Sequence, residues 1–159
     1  TEMAQAYGVA VLVNDSPELA MELNADGVHL GWDDMPVKKA RDLVGKEMII
    51  GATAKNSRHV AMQAGEDGAD YVAFGAFYPT DTKTGTVQAS PDLLEIWQES
   101  MEIPCVAIGG ITVDNAEALV TAGADFVAVS SGVWNHPAGA PAAVAEFNKI
   151  LDRLDQTKA

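Results

Sequence analysis

Short apolar runs and amphipathic stretches alternate along the chain and predict strands and helices in turn. The predicted strands lie within residues 9–13, 24–31, 48–51, 68–75, 105–109 and 123–130. Each run is nearly continuous in apolar character and bounded by Gly, Asp or Pro, which is typical of buried parallel strands. The predicted helices cover about residues 17–23, 36–44, 57–65, 91–99, 113–121 and 141–154, and Asp15 or Ser16 could cap the first of them, with Pro17 at its start. Strand–helix alternation of this kind predicts an α/β fold with a parallel sheet.

Three of these segments resemble one another. Residues 24–31, 68–75 and 123–130 each carry an Ala-Asp pair followed by an apolar strand, and Gly or Asn precedes the pair. A solenoid repeat would be shorter and more regular. The spacing therefore predicts that each repeat contains two βα units.

The distribution of glycine and polar residues favours a closed (βα)8 barrel over an open doubly wound sheet. A dinucleotide-binding sheet usually has a Gly-rich turn after its first strand, and none follows Val13. Here polar and glycine residues follow almost every strand. That pattern is typical of a barrel whose carboxyl-terminal loops meet at one site.

Composition narrows the class of protein. Hydrophobic residues make up 48% of the 159, as in an ordinary globular domain, and the formal net charge is −13. This acidity argues against nucleic acid as a partner, and no apolar run approaches the roughly 18 to 20 residues that cross a bilayer. Cys105 is the one cysteine, which fits a cytoplasmic protein, and its apolar neighbours predict a buried thiol.

Two carboxylates follow neighbouring predicted strands. Asp15 comes after the first strand and Asp34 after the second. Adjacent strands lie about 4.8 Å apart, so both side chains could reach one hard cation such as Mg²⁺ that also binds substrate phosphates. The alternative is that Asp15 only caps a helix and Asp34 is only a loop residue.

The last two strands end in small residues that suit a bound phosphate. Gly109-Gly110 follows the fifth strand and Ser130-Ser131-Gly132 follows the sixth. Barrels often hold phosphate there through backbone N–H groups, although tight turns without a ligand would use the same residues.

The polar, glycine-containing composition of residues 80–88 predicts a flap, in which Lys83 is the one cation. The histidines, His29, His59 and His136, form no recognisable triad and are interpreted as structural.

Several motifs together resemble the thiamine phosphate synthase family. They are Val13-Asn14-Asp15, Ala25 to Gly31 with Asp33-Asp34-Met35-Pro36, Gly68-Ala69-Asp70-Tyr71-Val72, Pro79-Thr80-Asp81-Thr82-Lys83, Val106 to Thr112 and Gly123-Ala124-Asp125. The motifs keep the family's order over essentially the whole chain. The glycine pair is shared by many phosphate-binding barrels, whereas the Asn-Asp, Asp-Asp and Thr-x-Thr-Lys combination is fairly specific.

The resemblance implies a phosphate-binding TIM barrel, a transferase of thiamine biosynthesis. Such an enzyme joins hydroxymethylpyrimidine diphosphate to hydroxyethylthiazole phosphate and releases diphosphate. It further implies that Mg²⁺ is the cofactor, bound by Asp15 and Asp34. The implied catalytic residues are Asn14, Thr53 and Lys83, which would hold the diphosphate, with Lys83 and the metal stabilising charge on this leaving group. The implied contacts with the thiazole phosphate come from Gly110, Ser130 and Ser131, and those with the thiazole itself from Thr80 and Thr82.

The sequence departs from the family in three places. Trp32 stands where the family commonly has Gln, and Thr53 stands where it commonly has Ser. The family's first two strands, with a basic Gln-Leu-Arg-x-Lys-like segment, have no counterpart. We therefore expect one N-terminally truncated barrel domain over residues 1–159, with six of eight strands, whose missing part another segment or subunit could supply.

Two other functions stay open at this point. One is a thiazole tautomerase-like enzyme, and the other is a barrel that binds a phosphorylated ligand without catalysis. Retention of Asp15, Asp34 and Lys83 argues against the tautomerase. The expected partners are small-molecule substrates, with no nucleic acid or membrane, and the sequence is compatible with a homo-oligomer.

Overall fold

The computed structural model describes residues 1–80 and 87–158, with side chains described as far as residue 154. The strands are β1 Leu12–Asn14, β2 Gly27–Leu30, β3 Ile49–Lys55, β4 Tyr71–Gly75, β5 Cys105–Ile108 and β6 Phe126–Ala128. The helices are α1 Glu2–Gln5, α2 Pro17–Glu22, α3 Val37–Val44, α4 Arg58–Glu66, α5 Asp92–Ser100, α6 Ala116–Thr121, α7 Ser131–Trp134 and α8 Ala140–Lys158.

The strands form one sheet in chain order, from β1 to β6. β1 pairs with β2, β2 with β3, and β5 with β6, all in parallel. Parallel neighbours in chain order, each connected through a helix, confirm the predicted α/β class. By their internal contacts the residues group into two compact units, Thr1–Ala73 and Phe74–Ala159.

In the first unit, helices cover one face of the strands. Val28 and Leu30 of β2 are almost fully buried and pack with Ala20 of α2 and Ala40 of α3. Alanine at these helix positions lets the backbones approach the strands closely. Successive residues of a strand point to opposite faces, so the residue between Val28 and Leu30 faces away from the helices.

The second unit has a core around Phe74 and Trp97. Their rings meet edge to face with centroids 5.2 Å apart, and both side chains are buried. The Trp97 indole N–H donates to the Ile103 carbonyl at 2.8 Å, so this buried donor is paired. Cys105 is fully buried at the start of β5, which confirms the prediction from its apolar neighbours.

Local signals placed most helix starts correctly. Ser16 caps α2 by accepting the Leu19 N–H, and Pro17 occupies the first turn. The predicted first strand, residues 9–13, was wrong at its start, because Val9 is 55% exposed and β1 begins at Leu12. The Val11 N–H is bonded to the Asp26 carboxylate rather than to a strand partner.

Candidate functional site

A row of residues crosses the helix-free face of the first unit's strands. Asn14 of β1 lies opposite His29 of β2, and His29 lies opposite Gly51 of β3. Residues paired in register point to the same face of a sheet. Thr53 lies two residues beyond Gly51 and therefore shares that face. The structure thus places Asn14 and Thr53 on the same face of the sheet, and the family resemblance implicates both in binding diphosphate.

His29 lies between two hydroxyl groups. Its Nδ1 is 2.8 Å from the Tyr71 hydroxyl, and its Nε2 is 2.9 Å from the Thr53 hydroxyl. Burial raises the pKa of Tyr71 to about 12, so this phenol keeps its proton. The interpretation of His29 as merely structural missed this contact with a candidate site residue. The sequence carried a sign of this contact, because His29 stands between Val28 and Leu30, and in a strand this alternation places the polar side chain on the face opposite the apolar ones.

The two aspartates take up different local geometries. Asp15 has φ of 71°, in the left-handed region that Asp tolerates better than most residues, and its N–H donates to the His29 carbonyl at 2.8 Å. Ser16, not Asp15, caps α2, so the interpretation of Asp15 as a helix cap was wrong. The Asp34 carboxylate accepts the Gly31 N–H at 2.6 Å, which fixes its turn after β2.

This donor set suits a hard cation. Mg²⁺ is commonly held by one or two carboxylates, with water and substrate phosphates completing its shell. Asp15 and Asp34 follow neighbouring strands and offer oxygen ligands of this type. Within residues 1–80 and 87–154, no group of three or more His, Cys, Asp or Glu side chains is arranged to hold a metal. Two carboxylates are too few to fill the shell of a cation, so this donor set fits a cation whose other ligands are water and a phosphate.

Trp32 and Lys55 form a pair that the sequence did not indicate. The Lys55 ammonium nitrogen lies 4.9 Å from the centroid of the Trp32 ring, a cation–π contact. Trp32 follows β2 and is 57% exposed, and Lys55 is the last residue of β3. Their contact places a cation at the same strand ends as the two aspartates.

In the second unit, a glycine turn follows β5. Gly109 and Gly110 have φ of 100° and 65°, and a Cβ on Gly110 would lie 2.4 Å from the Pro79 carbonyl oxygen. Only glycine fits this backbone and this space. Asn115 braces the turn, because its side chain accepts the Thr112 N–H at 2.8 Å and donates to the Gly110 carbonyl at 3.1 Å. Sequence reasoning missed Asn115.

The two small-residue segments meet. A Cβ on Gly132 would lie 2.2 Å from the Ile111 carbonyl oxygen, so the start of α7, which follows β6, packs directly against the segment after β5. Ser130 and Ser131 are exposed, and Ser131 begins the short helix α7. The structure therefore brings Gly110 into the same region as Ser130 and Ser131, as the barrel interpretation required. Thr80 is the last described residue before position 81, and Thr82 and Lys83 lie outside the described residues.

No helix in the described part of the chain is both long and apolar enough to cross a membrane.

Parallel strands in chain order, connected by helices and followed by polar or glycine residues, are the pattern of phosphate-binding (βα) barrels. Solved structures confirm the class. Thiamine phosphate pyrophosphorylase from Pyrococcus furiosus superimposes with a TM-score of 0.84 at 35% identity, covering 96% of this chain and 72% of that one. A 3-hexulose-6-phosphate synthase, at 17% identity and a TM-score of 0.67, shares the fold over 94% of this chain and 77% of that one.

Sequence comparison then gives the family. The family model described as thiamine monophosphate synthase matches residues 1–133. Thiamine-phosphate synthase of Hyphomonas neptunium is 71% identical over 154 residues, 97% of this chain and 70% of that protein. That of Rhodospirillum centenum is 59% identical over 149 residues, 94% and 72% respectively. The chain belongs to the thiamine monophosphate synthase family, whose members are transferases that act on small-molecule substrates. The predicted family, barrel class and transferase activity are thereby confirmed.

Proposed function

We propose that this chain carries out the family reaction, joining hydroxymethylpyrimidine diphosphate to hydroxyethylthiazole phosphate to give thiamine phosphate and diphosphate. The observation that supports this most directly is the 71% identity to a thiamine-phosphate synthase over 97% of the chain. Asn14 and Thr53 lie on one face of the sheet, which agrees with the diphosphate-binding roles that the resemblance implies. We assign Lys83 to the same diphosphate from the resemblance alone.

In the proposed mechanism, the bond between the pyrimidine methylene carbon and the diphosphate oxygen breaks first, and its electron pair leaves with the diphosphate. The ring nitrogen of the thiazole then attacks the carbocation with its lone pair and forms the new C–N bond. Asn14, Thr53 and Lys83 hold the leaving group through charge-assisted hydrogen bonds, which strengthen as negative charge develops on it. Asp15 and Asp34 would hold Mg²⁺, which would supply positive charge to balance that of the diphosphate.

We assign the second substrate to the second unit. Gly110, Ser130 and Ser131 hold the thiazole phosphate, supported by the contact between Gly132 and the turn after β5. Backbone N–H groups and serine hydroxyls are neutral donors that suit an anion in a protein of net charge −13. We assign Thr80 and Thr82 to the thiazole ring from the resemblance alone.

We further propose that the protein works in the cytoplasm on these two small molecules, without a nucleic-acid or membrane partner. Its acidity and its one buried cysteine support this assignment. A homo-oligomer is compatible with the assignment, and size-exclusion chromatography with light scattering would measure it.

The decisive test is product formation from the two substrates with and without Mg²⁺. The wild-type chain, the Lys83→Ala variant and a matched Lys38→Ala variant on the exposed surface of α3 would be compared. We expect metal-dependent thiamine phosphate formation that is lost in Lys83→Ala and kept in Lys38→Ala. Metal-independent turnover of the thiazole alone would instead favour a tautomerase. Ligand binding without any turnover would favour a non-catalytic barrel.

A further inference from the structure

The imidazole of His29 connects a buried phenol to a candidate ligand-binding hydroxyl. Tyr71 contacts Nδ1 and Thr53 contacts Nε2, at 2.8 Å and 2.9 Å. The His29 and Tyr71 rings are also stacked, with centroids 5.6 Å apart and an interplanar angle of 26°. All three side chains belong to the first unit, on adjacent strands.

The direction of these hydrogen bonds decides what Thr53 can do. A neutral imidazole has one N–H donor and one acceptor nitrogen, and a hydroxyl has a single proton. If Nε2 is the acceptor, Thr53 donates its proton to His29 and has none left for an anion. If Nε2 carries the proton, it donates to the Thr53 oxygen, and the Thr53 proton is available for a phosphate oxygen.

Tyr71 favours the second arrangement. Burial raises the pKa of Tyr71 to about 12, so the phenol keeps its proton, and the His29 Nδ1 at 2.8 Å is the acceptor placed to receive it. A donor at Nδ1 makes that nitrogen the acceptor and leaves the ring proton on Nε2. The donors then run in one direction, from the Tyr71 O–H to Nδ1 and from the Nε2–H to the Thr53 oxygen.

Gly51 holds this arrangement in place. A Cβ at this position would lie 2.0 Å from Cζ and 2.3 Å from the hydroxyl oxygen of Tyr71. The tyrosine ring therefore lies directly against the β3 backbone, and only glycine leaves room for it. The position of the Tyr71 ring therefore depends on β3, against which it packs, as well as on β4, to which Tyr71 belongs.

We propose that Tyr71 and His29 are positioning residues that fix the Thr53 hydroxyl as a hydrogen-bond donor to the diphosphate of the pyrimidine substrate. This inference rests on the proposed function. It adds that Thr53 is oriented through a relay of two further side chains, neither of which needs to touch the substrate.

Kinetics of Tyr71→Phe give the first test. Removing the phenol O–H leaves Nδ1 without its donor and allows the other tautomer. We expect the KM for the pyrimidine diphosphate to rise roughly five- to tenfold, less than for complete loss of a hydrogen bond to a charged ligand, because the original tautomer stays accessible. The KM for the thiazole phosphate should stay within about twofold, since that substrate is assigned elsewhere.

A double-mutant cycle separates positioning from general damage. Thr53→Val removes the hydroxyl on which the relay acts, whereas Thr53→Ser keeps it. Tyr71→Phe should add no more than about twofold to the KM in the Thr53→Val background, and its full effect should return with Thr53→Ser. Equal effects of Tyr71→Phe in both backgrounds would overturn the proposal, because a structural role does not depend on the Thr53 hydroxyl.

Nitrogen-15 NMR of the histidine ring tests the relay without turnover. Replacing His59 and His136 by Gln leaves His29 as the one imidazole, so that the signals of its two ring nitrogens are observed without overlap. We expect a protonated Nε2 and an unprotonated Nδ1, and the opposite tautomer would refute the relay. A chain that shows the expected tautomer but forms no thiamine phosphate would contradict the proposed function and not the relay.

Discussion

Asp125 and Cys105 are joined by two hydrogen bonds that run in opposite directions. The Asp125 N–H donates to the Cys105 carbonyl at 3.1 Å, and the Asp125 carboxylate accepts the Cys105 N–H at 2.8 Å. The aspartate that precedes β6 therefore clamps the first residue of β5. This uses a backbone donor at the start of a strand that would otherwise lack a partner.

The same pair of bonds occurs at the other two repeats. Asp26 is joined in this way to Val11, and Asp70 to Ile50, with carboxylate–amide distances of 2.7 Å in both. A side chain from a preceding helix completes each clamp. These donors are Gln5 for Asp26, Arg41 for Asp70 and Gln98 for Asp125. The Ala-Asp repeat is thus a repeated device for fixing strand register.

Removing the Asp70 carboxylate should destabilise the first unit. Asp70→Ala leaves the Ile50 N–H and the mostly buried Arg41 without their shared acceptor. We expect the free energy of unfolding to fall by about 1–3 kcal/mol, the cost of unpaired polar groups. Urea unfolding followed by circular dichroism measures this change.

Asp42→Ala is the matched control for this experiment. Asp42 lies on the exposed side of α3, next to Arg41 in sequence. Its replacement should change the free energy of unfolding by no more than about 0.5 kcal/mol. An equal loss in both variants would mean that the Asp70 clamp adds nothing beyond its charge.

Adding a methyl group at Gly51 should disturb Tyr71. The new Cβ would overlap the phenol ring, so Gly51→Ala should lower the free energy of unfolding by about 1–3 kcal/mol. The loss should shrink in a Tyr71→Ala background, where the ring is gone. A loss of the same size in both backgrounds would place the strain in the β3 backbone instead. Thermal unfolding of the four proteins provides the comparison.

The Asp26 clamp predicts a pH dependence of stability in acid. Hydrogen bonds from the Val11 amide and the Gln5 side chain lower the pKa of Asp26 below its ordinary value of 3.8. A depressed carboxyl pKa stabilises the folded state above pH 3.8, and this stabilisation is lost as the pH falls through the folded-state pKa. The urea midpoint of Asp26→Asn should therefore fall less steeply with decreasing pH than that of wild type. Parallel curves would contradict this role.

The one thiol should report unfolding. Burial raises the pKa of Cys105 to about 11, so the folded protein holds little thiolate at pH 8.5 and shields it from reagents. Iodoacetamide labelling should be slow in the native protein and should rise with urea along the unfolding curve. Fast native labelling would show that the site around Cys105 opens locally.

The raised pKa of Cys105 also predicts a loss of stability in alkali. The contribution of this thiol to the free energy of unfolding is complete below the ordinary pKa of 9.0 and is lost as the pH rises towards 11.

Local patterns in the sequence were sufficient for the elements and the family. Strand–helix alternation, the Ser16-Pro17 helix start and the apolar run at Cys105 follow from interactions between residues close in sequence. The motif order gave the family resemblance that the comparisons confirm. The carboxylates and glycines at the strand ends were visible for the same reason, because each directly follows a strand.

Tertiary structure decided what lies beside these residues. His29 meets Tyr71 and Thr53 only because three strands place them on one face in a particular register, and Gly51 is required only because the Tyr71 ring packs against it. Likewise, each Ala-Asp motif was visible as a repeat, but its bond to a residue 15 to 20 positions earlier was not. Contacts between residues distant in sequence depend on strand register, and register depends on the packing of the whole unit.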